Sequence, residues 1–381
     1  MSFFDYLSNP EYAGTIWLYN FIFAITTLFA FLAQRGTKIN SESGRIKKFW
    51  FILSFLTAWF FFTFNNTGAD LKQYIAQYEE SSFTLDFITQ KGLESGYRTL
   101  IAFFHLFIKN SYVGIGVLKT IQISIIFACI YKLRNNISVG YAVMTYMALF
   151  YFASFNVFRI SLAGSLVLAS YILLINKKWA KAAVLISVAY TIHNSVLAFA
   201  LAYAFYLCYM IFKKDRSFLR YIILFAVPVI VFLGRNIIIS FLKLGMFANR
   251  YTDYVSAESS FGIMQILFYL PLFYVLYRWK RENRDANNDD FDINYIFSLS
   301  GFAVAMVGYS VGILSRVSIF FAGPFIFYIP QYLKQRSRKS SLPLDIPVIS
   351  VFMFIYWIIR YMLSIGGYFI TSGLYPFKFV F

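Results

Sequence analysis

Short basic patches alternate with long apolar runs along this chain, and this alternation restricts the fold more than any other feature. Apolar residues make up 60% of the 381 positions, yet the formal net charge is +17. A nucleic-acid-binding protein gathers its basic residues in one polar domain, whereas here they stand between apolar runs. Since about 20 apolar residues cross a bilayer as a helix, the pattern predicts an all-α, polytopic integral membrane protein that binds no nucleic acid.

Twelve apolar segments are predicted to cross the membrane as helices, so that residues 1–381 form a single transmembrane domain. Several of them are close to the shortest length that spans a bilayer. In chain order the segments are 15–33, 49–64, 112–131, 138–157, 159–176, 180–193, 195–212, 221–242, 263–277, 294–314, 317–333 and 347–367.

The basic residues also predict which loops face the cytoplasm, because loops rich in Lys and Arg remain on that side. Segment 35–48, which follows the first predicted span, is rich in both. With this segment inside, the alternation of spans places loop 278–293 inside and loops 65–111 and 243–262 outside. Both termini then lie outside, and anionic lipid headgroups of the membrane are the expected partners of the basic loops.

Loop 65–111 combines acidic and aromatic side chains, among them Asp70, Tyr74, Glu94 and Tyr97. Carboxylates accept hydrogen bonds from sugar hydroxyls, and aromatic faces stack on pyranose rings. Interfacial tyrosines are also ordinary in membrane proteins, so the sugar-binding and interfacial interpretations both stay open. The apolar stretch 100–108 within this loop is too short to cross and predicts an amphipathic segment at the outer surface.

Arg159 and Arg316 stand at tight outer hairpins, where the topology gives no reason for a positive charge, and Arg250 lies in loop 243–262. A charged side chain at membrane depth costs about 2.5–3.5 kcal/mol, so it is normally paired or faces a water-filled cavity. The forked donors of arginine match phosphate oxygens and stay charged at any working pH. These three arginines therefore predict a diphosphate site near the outer leaflet.

His193 lies at the break between segments 180–193 and 195–212. A lone histidine in a membrane protein is most often a hydrogen-bonded packing residue, and the functional alternatives are a general base or a diphosphate donor. The sequence has no second histidine at helical spacing and no glycine-rich phosphate loop, so neither a metal nor a cofactor is expected.

Five short motifs follow one another on the predicted outer side: Gly68-Ala-Asp70 with Tyr74, Glu94-Ser-Gly-Tyr97, Arg159-Ile-Ser-Leu-Ala163, His193-Asn-Ser and Ser315-Arg316. In this order they resemble the EpsG-like branch of Wzy-type polysaccharide polymerases, over most of the chain. The resemblance implies a glycosyltransferase-C-like setting in the bacterial cytoplasmic (inner) membrane, with outer loops covering a cavity. It also implies the joining of oligosaccharide repeat units carried on undecaprenyl diphosphate, as in O-antigen, capsule or exopolysaccharide synthesis, and a chain-length regulator is a further candidate partner.

This interpretation gives each candidate residue a role. A carboxylate near the acceptor hydroxyl acts as general base, and Asp70 and Glu94 are the candidates for it. His193 is the third candidate catalytic residue, as base or as diphosphate donor. The leaving diphosphate gains charge, which Arg159, Arg316 and Arg250 are expected to stabilise. Tyr74 and Tyr97 are the candidate glycan-binding residues.

Two other functions stay open as alternatives. A flippase or transporter of lipid-linked glycans is expected to show matched, broken helices in its two halves. A membrane O-acyltransferase also uses arginine and histidine in a polytopic core, but its key residues are expected to face the cytoplasm. Here they face outward, which favours the polymerase.

Overall fold

The computed structural model describes residues 8, 10–35, 46–90, 92–212, 263–282, 289–310, 316–339, 344–357 and 373–380. Within these ranges every regular element is a helix, and one isolated antiparallel bridge joins Asn65 to Phe379. The predicted all-α class is thereby confirmed for the described part of the chain. Segment 221–242 and loop 243–262, with Arg250, lie outside the described residues.

The helices are numbered here in chain order. The α-helices are α1 (Pro10–Gln34), α2 (Lys48–Thr63), α3 (Leu71–Glu79), α4 (Leu85–Thr89), α5 (Ser95–Phe107), α6 (Ser111–Lys132), α7 (Val139–Tyr146), α8 (Ala153–Asn156), α9 (Phe158–Ile175), α10 (Trp179–Ile192), α11 (Leu197–Phe212), α12 (Ile263–Glu282), α13 (Asp289–Ser310), α14 (Ile329–Lys339) and α15 (Asp345–Trp357). Two π-helical turns lie at Met147–Tyr151 and Pro324–Tyr328, and two 3-10 turns lie at Asn194–Val196 and Arg316–Phe321.

Four helical segments in the described ranges are long and apolar enough to cross a membrane: Tyr12–Gln34, Ser111–Lys132, Phe158–Ile175 and Asn194–Ile211. Shorter apolar helices occur at Lys48–Thr63, Val139–Tyr151, Trp179–Ile192 and Asp345–Trp357. Each of these segments overlaps a predicted span, and Asp345–Trp357 covers only the described part of 347–367. Length and composition are thus those of a membrane protein.

The outward face of α1 is apolar, as expected of a helix in contact with lipid. Trp17, Phe21 and Leu28 recur at helical spacing and are exposed. The opposite face packs against α2 and α7, and there the Ser54 hydroxyl donates to the Thr26 carbonyl oxygen over 2.8 Å. Buried polar groups in such an interior need a partner, and this contact supplies one between the two helices.

Two of the predicted spans are not continuous helices. In segment 138–157, α7 gives way to the π-turn Met147–Tyr151 and then to the single turn of α8. Segment 317–333 likewise passes from a 3-10 turn through the π-turn Pro324–Tyr328 into α14. The rings of Phe150 and Phe325, one from each π-turn, lie 6.2 Å apart, so the two irregular regions meet inside the protein. Such backbone is tolerated at membrane depth only where protein or a cavity covers it.

Polar segments that the sequence predicts as loops contain more helix than expected. Loop 65–111 holds α3, α4 and α5, and α5 begins at Ser95, before the predicted amphipathic stretch. Its buried side includes Tyr97 and Ile101, while Phe103 and Phe107 are exposed. In loop 278–293, α12 extends to Glu282 and α13 begins at Asp289.

Segment 373–380 runs beside residues 64–68 and fixes them in place. The Gly68 N–H donates to the Gly373 carbonyl oxygen over 2.8 Å, and the Asn66 N–H donates to that of Lys378 over 2.7 Å. The Val380 N–H returns a hydrogen bond to the Phe64 carbonyl oxygen. This pairing anchors the loop that leads to Asp70, and it joins residues far apart in the sequence.

Candidate active site

Residues from five distant segments converge at one place in the structure. They are Asp70 and Tyr74 from the start of α3, Glu94 and Tyr97 from the start of α5, Arg159 from α9, His193 from the turn after α10, and Arg316 from the turn before α14. These residues belong to separate motifs in the sequence, and the fold brings the motifs together.

Glu94 and Arg159 form the inner of two arginine–carboxylate pairs. Arg159 Nη1 lies 3.1 Å from Glu94 Oε2, and the two side chains are only 18% and 11% exposed. The other carboxylate oxygen, Oε1, accepts the backbone N–H of Asn194 over 3.2 Å. Because both oxygens of Glu94 are engaged, this carboxylate orients Arg159 and the turn that carries His193.

Arg159 Nη1 is buried, and its contact with Glu94 is imperfectly aligned. Among the described residues, none forms a hydrogen bond with Arg159 Nη1, since its contact with Glu94 is an ion pair without hydrogen-bond alignment. A buried charged donor whose hydrogen bonding is incomplete retains part of its desolvation penalty. An anionic ligand in the site is one way to remove that penalty.

Tyr97 contacts Arg159, and Tyr74 packs against the neighbouring residue of α9. The Arg159 guanidinium carbon lies 5.5 Å from the centroid of the Tyr97 ring, a cation–π contact, and Tyr74 packs edge-on against Phe158. Burial, with the nearby Asp70 carboxylate, raises the pKa of Tyr74 to about 12, and burial raises the pKa of Tyr97. Both rings are buried. Neither has a free face for a sugar in this conformation, so their predicted glycan contact has no support here.

Asp70 and Arg316 form the outer, looser pair. Arg316 Nη1 lies 3.6 Å from Asp70 Oδ2, and the side chains are 42% and 29% exposed. Half-exposed ion pairs contribute little to stability, because water screens them and the side chains lose freedom. Asp70 is therefore the more accessible of the two carboxylates, and Arg316 is able to turn toward a ligand.

Two glycines from the sequence motifs allow this convergence. Gly68 has φ +112°, and a Cβ on it would lie 2.7 Å from the Phe155 carbonyl oxygen. A Cβ on Gly96 would lie 2.2 Å from Thr191 Oγ1. Only glycine permits such backbone approach. The first glycine seats the Asp70 loop against the end of α8, and the second seats α5 against the end of α10.

The contacts of His193 leave the ring proton on Nε2, from which the side chain is able to donate. Its Nδ1 accepts the backbone N–H of Ser195 over 3.3 Å and lies 2.6 Å from the Ser195 hydroxyl oxygen. An Nδ1 that accepts an N–H carries no proton, so the neutral ring has its proton on Nε2. Of the two roles that the sequence left open, this geometry favours the donor.

Sequence reasoning missed the residues that hold the site in place. Asn156 receives the Asp70 N–H, and Asn194 donates to Glu94. Both asparagines stand beside predicted site residues in the sequence, but nothing in the sequence indicates which distant group each one contacts. Within the described ranges, no group of three or more His, Cys, Asp or Glu side chains is placed to hold a metal ion.

The candidate site lies inside a recognisable family domain. The sequence profile of the EpsG family matches residues 48–379, which is most of the chain. This range includes all of the predicted site residues, from Asp70 to Arg316. No curated protein and no solved structure matches the chain.

Proposed function

The chain belongs to the EpsG family of polysaccharide polymerases, and from this premise we propose that it joins oligosaccharide repeat units carried on undecaprenyl diphosphate. The reaction takes place on the outer side of the bacterial cytoplasmic membrane. The proposal also includes twelve spans, both termini outside, and outer loops that cover a glycosyltransferase-C-like cavity. The apolar helices at the predicted spans and the convergence of the outer residues support it.

One observation carries the proposal: two arginines, each paired with a carboxylate, flank the predicted outer site, and the buried contact of Arg159 Nη1 with Glu94 lacks hydrogen-bond alignment. Two forked cations suit a diphosphate, whose oxygens accept bidentate hydrogen bonds. Their carboxylate partners explain how the cations are held in the absence of a ligand. A lipid diphosphate would replace the loose contact of Arg316 with Asp70 and would satisfy Arg159.

In the proposed reaction the acceptor hydroxyl oxygen attacks the anomeric carbon of the donor glycan. The bond from that carbon to the lipid diphosphate breaks, and its electron pair leaves with the diphosphate. Asp70 takes the proton of the attacking hydroxyl as general base. Arg159 and Arg316 stabilise the charge that develops on the leaving group, and His193 donates from Nε2. Glu94 keeps Arg159 in place.

A transporter of lipid-linked glycans is the second candidate, and the two broken helices favour it. The π-turns Met147–Tyr151 and Pro324–Tyr328 interrupt helices in separate parts of the chain and contact each other. Transporters often place such interruptions at their binding site. The ion pairs at the outer site favour the polymerase instead, since they offer a base beside cations.

Deletion of the gene separates these two functions. A polymerase-deficient strain accumulates single lipid-linked repeat units on the outer leaflet, whereas a transporter-deficient strain accumulates them on the inner leaflet. Lipid extraction with leaflet-selective labelling distinguishes the two. Unchanged long-chain polysaccharide in the deletion strain would contradict both functions.

A further inference from the structure

Asp70 is held through its backbone by a side chain from another helix. The Asp70 N–H donates to Asn156 Oδ1 over 3.1 Å. Asn156 is buried at the end of α8, three positions before Arg159. Residues 156–159 therefore contact the proposed base through Asn156 and carry Arg159, the arginine proposed to bind the leaving group.

The loop around Asp70 has little freedom to adopt another position against this stretch. A Cβ on Gly68 would lie 3.3 Å from the Asn156 Cα, so the two backbones are in close contact. Asp70 immediately precedes α3, yet its carboxylate caps none of the N–H groups of that helix. The carboxylate is thus directed toward Arg316 and the site instead of toward its own helix.

We propose that Asn156 is a positioning residue, which fixes the distance between the Asp70 carboxylate and the cations that hold the lipid diphosphate. This inference rests on the proposed function, in which Asp70 receives the acceptor proton. A general base acts only within hydrogen-bond reach of its proton. Loss of the Asn156 contact therefore affects turnover, while the diphosphate still binds to Arg159 and Arg316.

The test uses full-length protein in lipid nanodiscs, lipid-linked repeat units extracted from the deletion strain, and undecaprenyl diphosphate as a binding probe. Asn156→Ala removes the acceptor oxygen, so kcat should fall about tenfold, because small misplacements of reacting groups slow catalysis strongly. KM and the affinity for undecaprenyl diphosphate should stay within about twofold. Asn156→Asp keeps an acceptor oxygen at the same place but adds a buried negative charge beside Asp70, so it should restore only part of the lost kcat.

Ser154→Ala is the matched control, since Ser154 is buried in the same helical turn and donates to the Tyr151 carbonyl oxygen. Its kcat should remain near that of the wild type. Asn156→Ser provides the same comparison if the alanine variant does not fold. An Asn156→Ala enzyme with unchanged kcat overturns the proposal, as does an equal loss in Ser154→Ala or a loss of affinity for undecaprenyl diphosphate that matches the loss of kcat.

These outcomes are separate from a failure of the proposed function. A wild-type protein that does not elongate the repeat units contradicts the polymerase. Undecaprenyl diphosphate binding that is unaffected by Arg159→Ala contradicts the diphosphate site. The kcat values of the Asn156 variants test the role of Asn156 once the wild type is shown to be active and Arg159→Ala is shown to weaken diphosphate binding.

Discussion

Glu94 and Asp70 each face an arginine, but the two carboxylates are held differently. Fixed partners engage both oxygens of Glu94, namely Arg159 and the Asn194 N–H. Arg316 contacts Asp70 at the longer distance of 3.6 Å, and both side chains reach water. The same charge combination therefore provides an orienting group in one pair and an accessible base in the other.

The arginines are expected to differ in importance. Arg159→Ala should lower the rate with purified enzyme about 100- to 1,000-fold, the usual cost of losing a fixed donor to a developing anion. Arg159→Lys should be nearly as poor, because lysine keeps the charge but loses the fork. Arg316→Ala should cost less, since water screens a half-exposed charge. Full activity of both alanine variants, measured on lipid-linked repeat units, is the result that excludes a diphosphate site here.

The carboxylates are expected to differ as well. Asp70→Asn removes the proposed base and should lower kcat about 100- to 10,000-fold. Glu94→Gln keeps the acceptor for the Asn194 N–H and loses only the charge, so its loss of kcat should be smaller. Glu79→Gln is the control, because Glu79 lies on α3 and accepts the Ser111 hydroxyl. A larger loss in Glu94→Gln than in Asp70→Asn would exchange the two roles.

Much of the candidate site was predictable from residue type and predicted sidedness. The arginines at outer hairpins are predicted because their charges oppose the topology, and the acids of loop 65–111 because carboxylates beside aromatic side chains suit a sugar. Asn156 is not predicted, because its uncharged side-chain amide carries no such signal. Asn194 is not, because it contacts Glu94 through a backbone N–H, which nearly every residue has. The burial of Tyr74 and Tyr97 also depends on packing between distant helices, which no local pattern encodes.

One helix contact at the site, between α5 and α10, requires a residue without a side chain. Gly96 lets the start of α5 touch the end of α10, where Thr191 precedes the turn that carries His193. A Cβ there would also lie 2.7 Å from the Thr191 carbonyl oxygen, so trimming the threonine side chain removes only part of the clash. The position of α5 against α10 thus controls whether Glu94 reaches Arg159.

Gly96→Ala should separate the two helices and lower activity strongly, because it displaces Glu94 and the His193 turn together. Thr191→Ala added to this variant should restore activity only in part, since the carbonyl oxygen remains. Gly14→Ala on α1 is the control, because a Cβ added there would meet no atom of another described element within 4 Å, and alanine favours helix. Wild-type turnover by Gly96→Ala would show that the close approach is unnecessary.

Most helices coincide with predicted spans because apolar length is a strong signal, as in α6 and α9. The interruptions in segments 138–157 and 317–333 were not predicted, although 317–333 contains Gly323 and Pro324, a pair that often breaks a helix, whereas 138–157 reads as a continuous apolar run. Local sequence marks the break in 317–333, because the π-turn there begins at Pro324. In 138–157 no glycine or proline stands at Met147–Tyr151, and the feature that accompanies the break is tertiary packing against the other π-turn. The pairing of 373–380 with 64–68 was missed because it is also a tertiary contact.

The complete arrangement in the membrane is testable by cysteine labelling. Cys208 is exposed and is first replaced by serine, while Cys129 is buried. Asn40→Cys, in the predicted cytoplasmic segment 35–48, should react with an impermeant maleimide only after the cells are permeabilised. Ser82→Cys, exposed in loop 65–111, should react in intact cells. Labelling of position 40 from outside would refute the predicted orientation.

The contact between segments 373–380 and 64–68 has a consequence for synthesis. Ribosomes deliver the two partners at widely separated times, and Tyr19 on α1 also donates to the Leu374 carbonyl oxygen. A nascent chain that has inserted its early helices still lacks the support for the Asp70 loop. Catalytic competence should therefore appear only once residues 373–380 have been made.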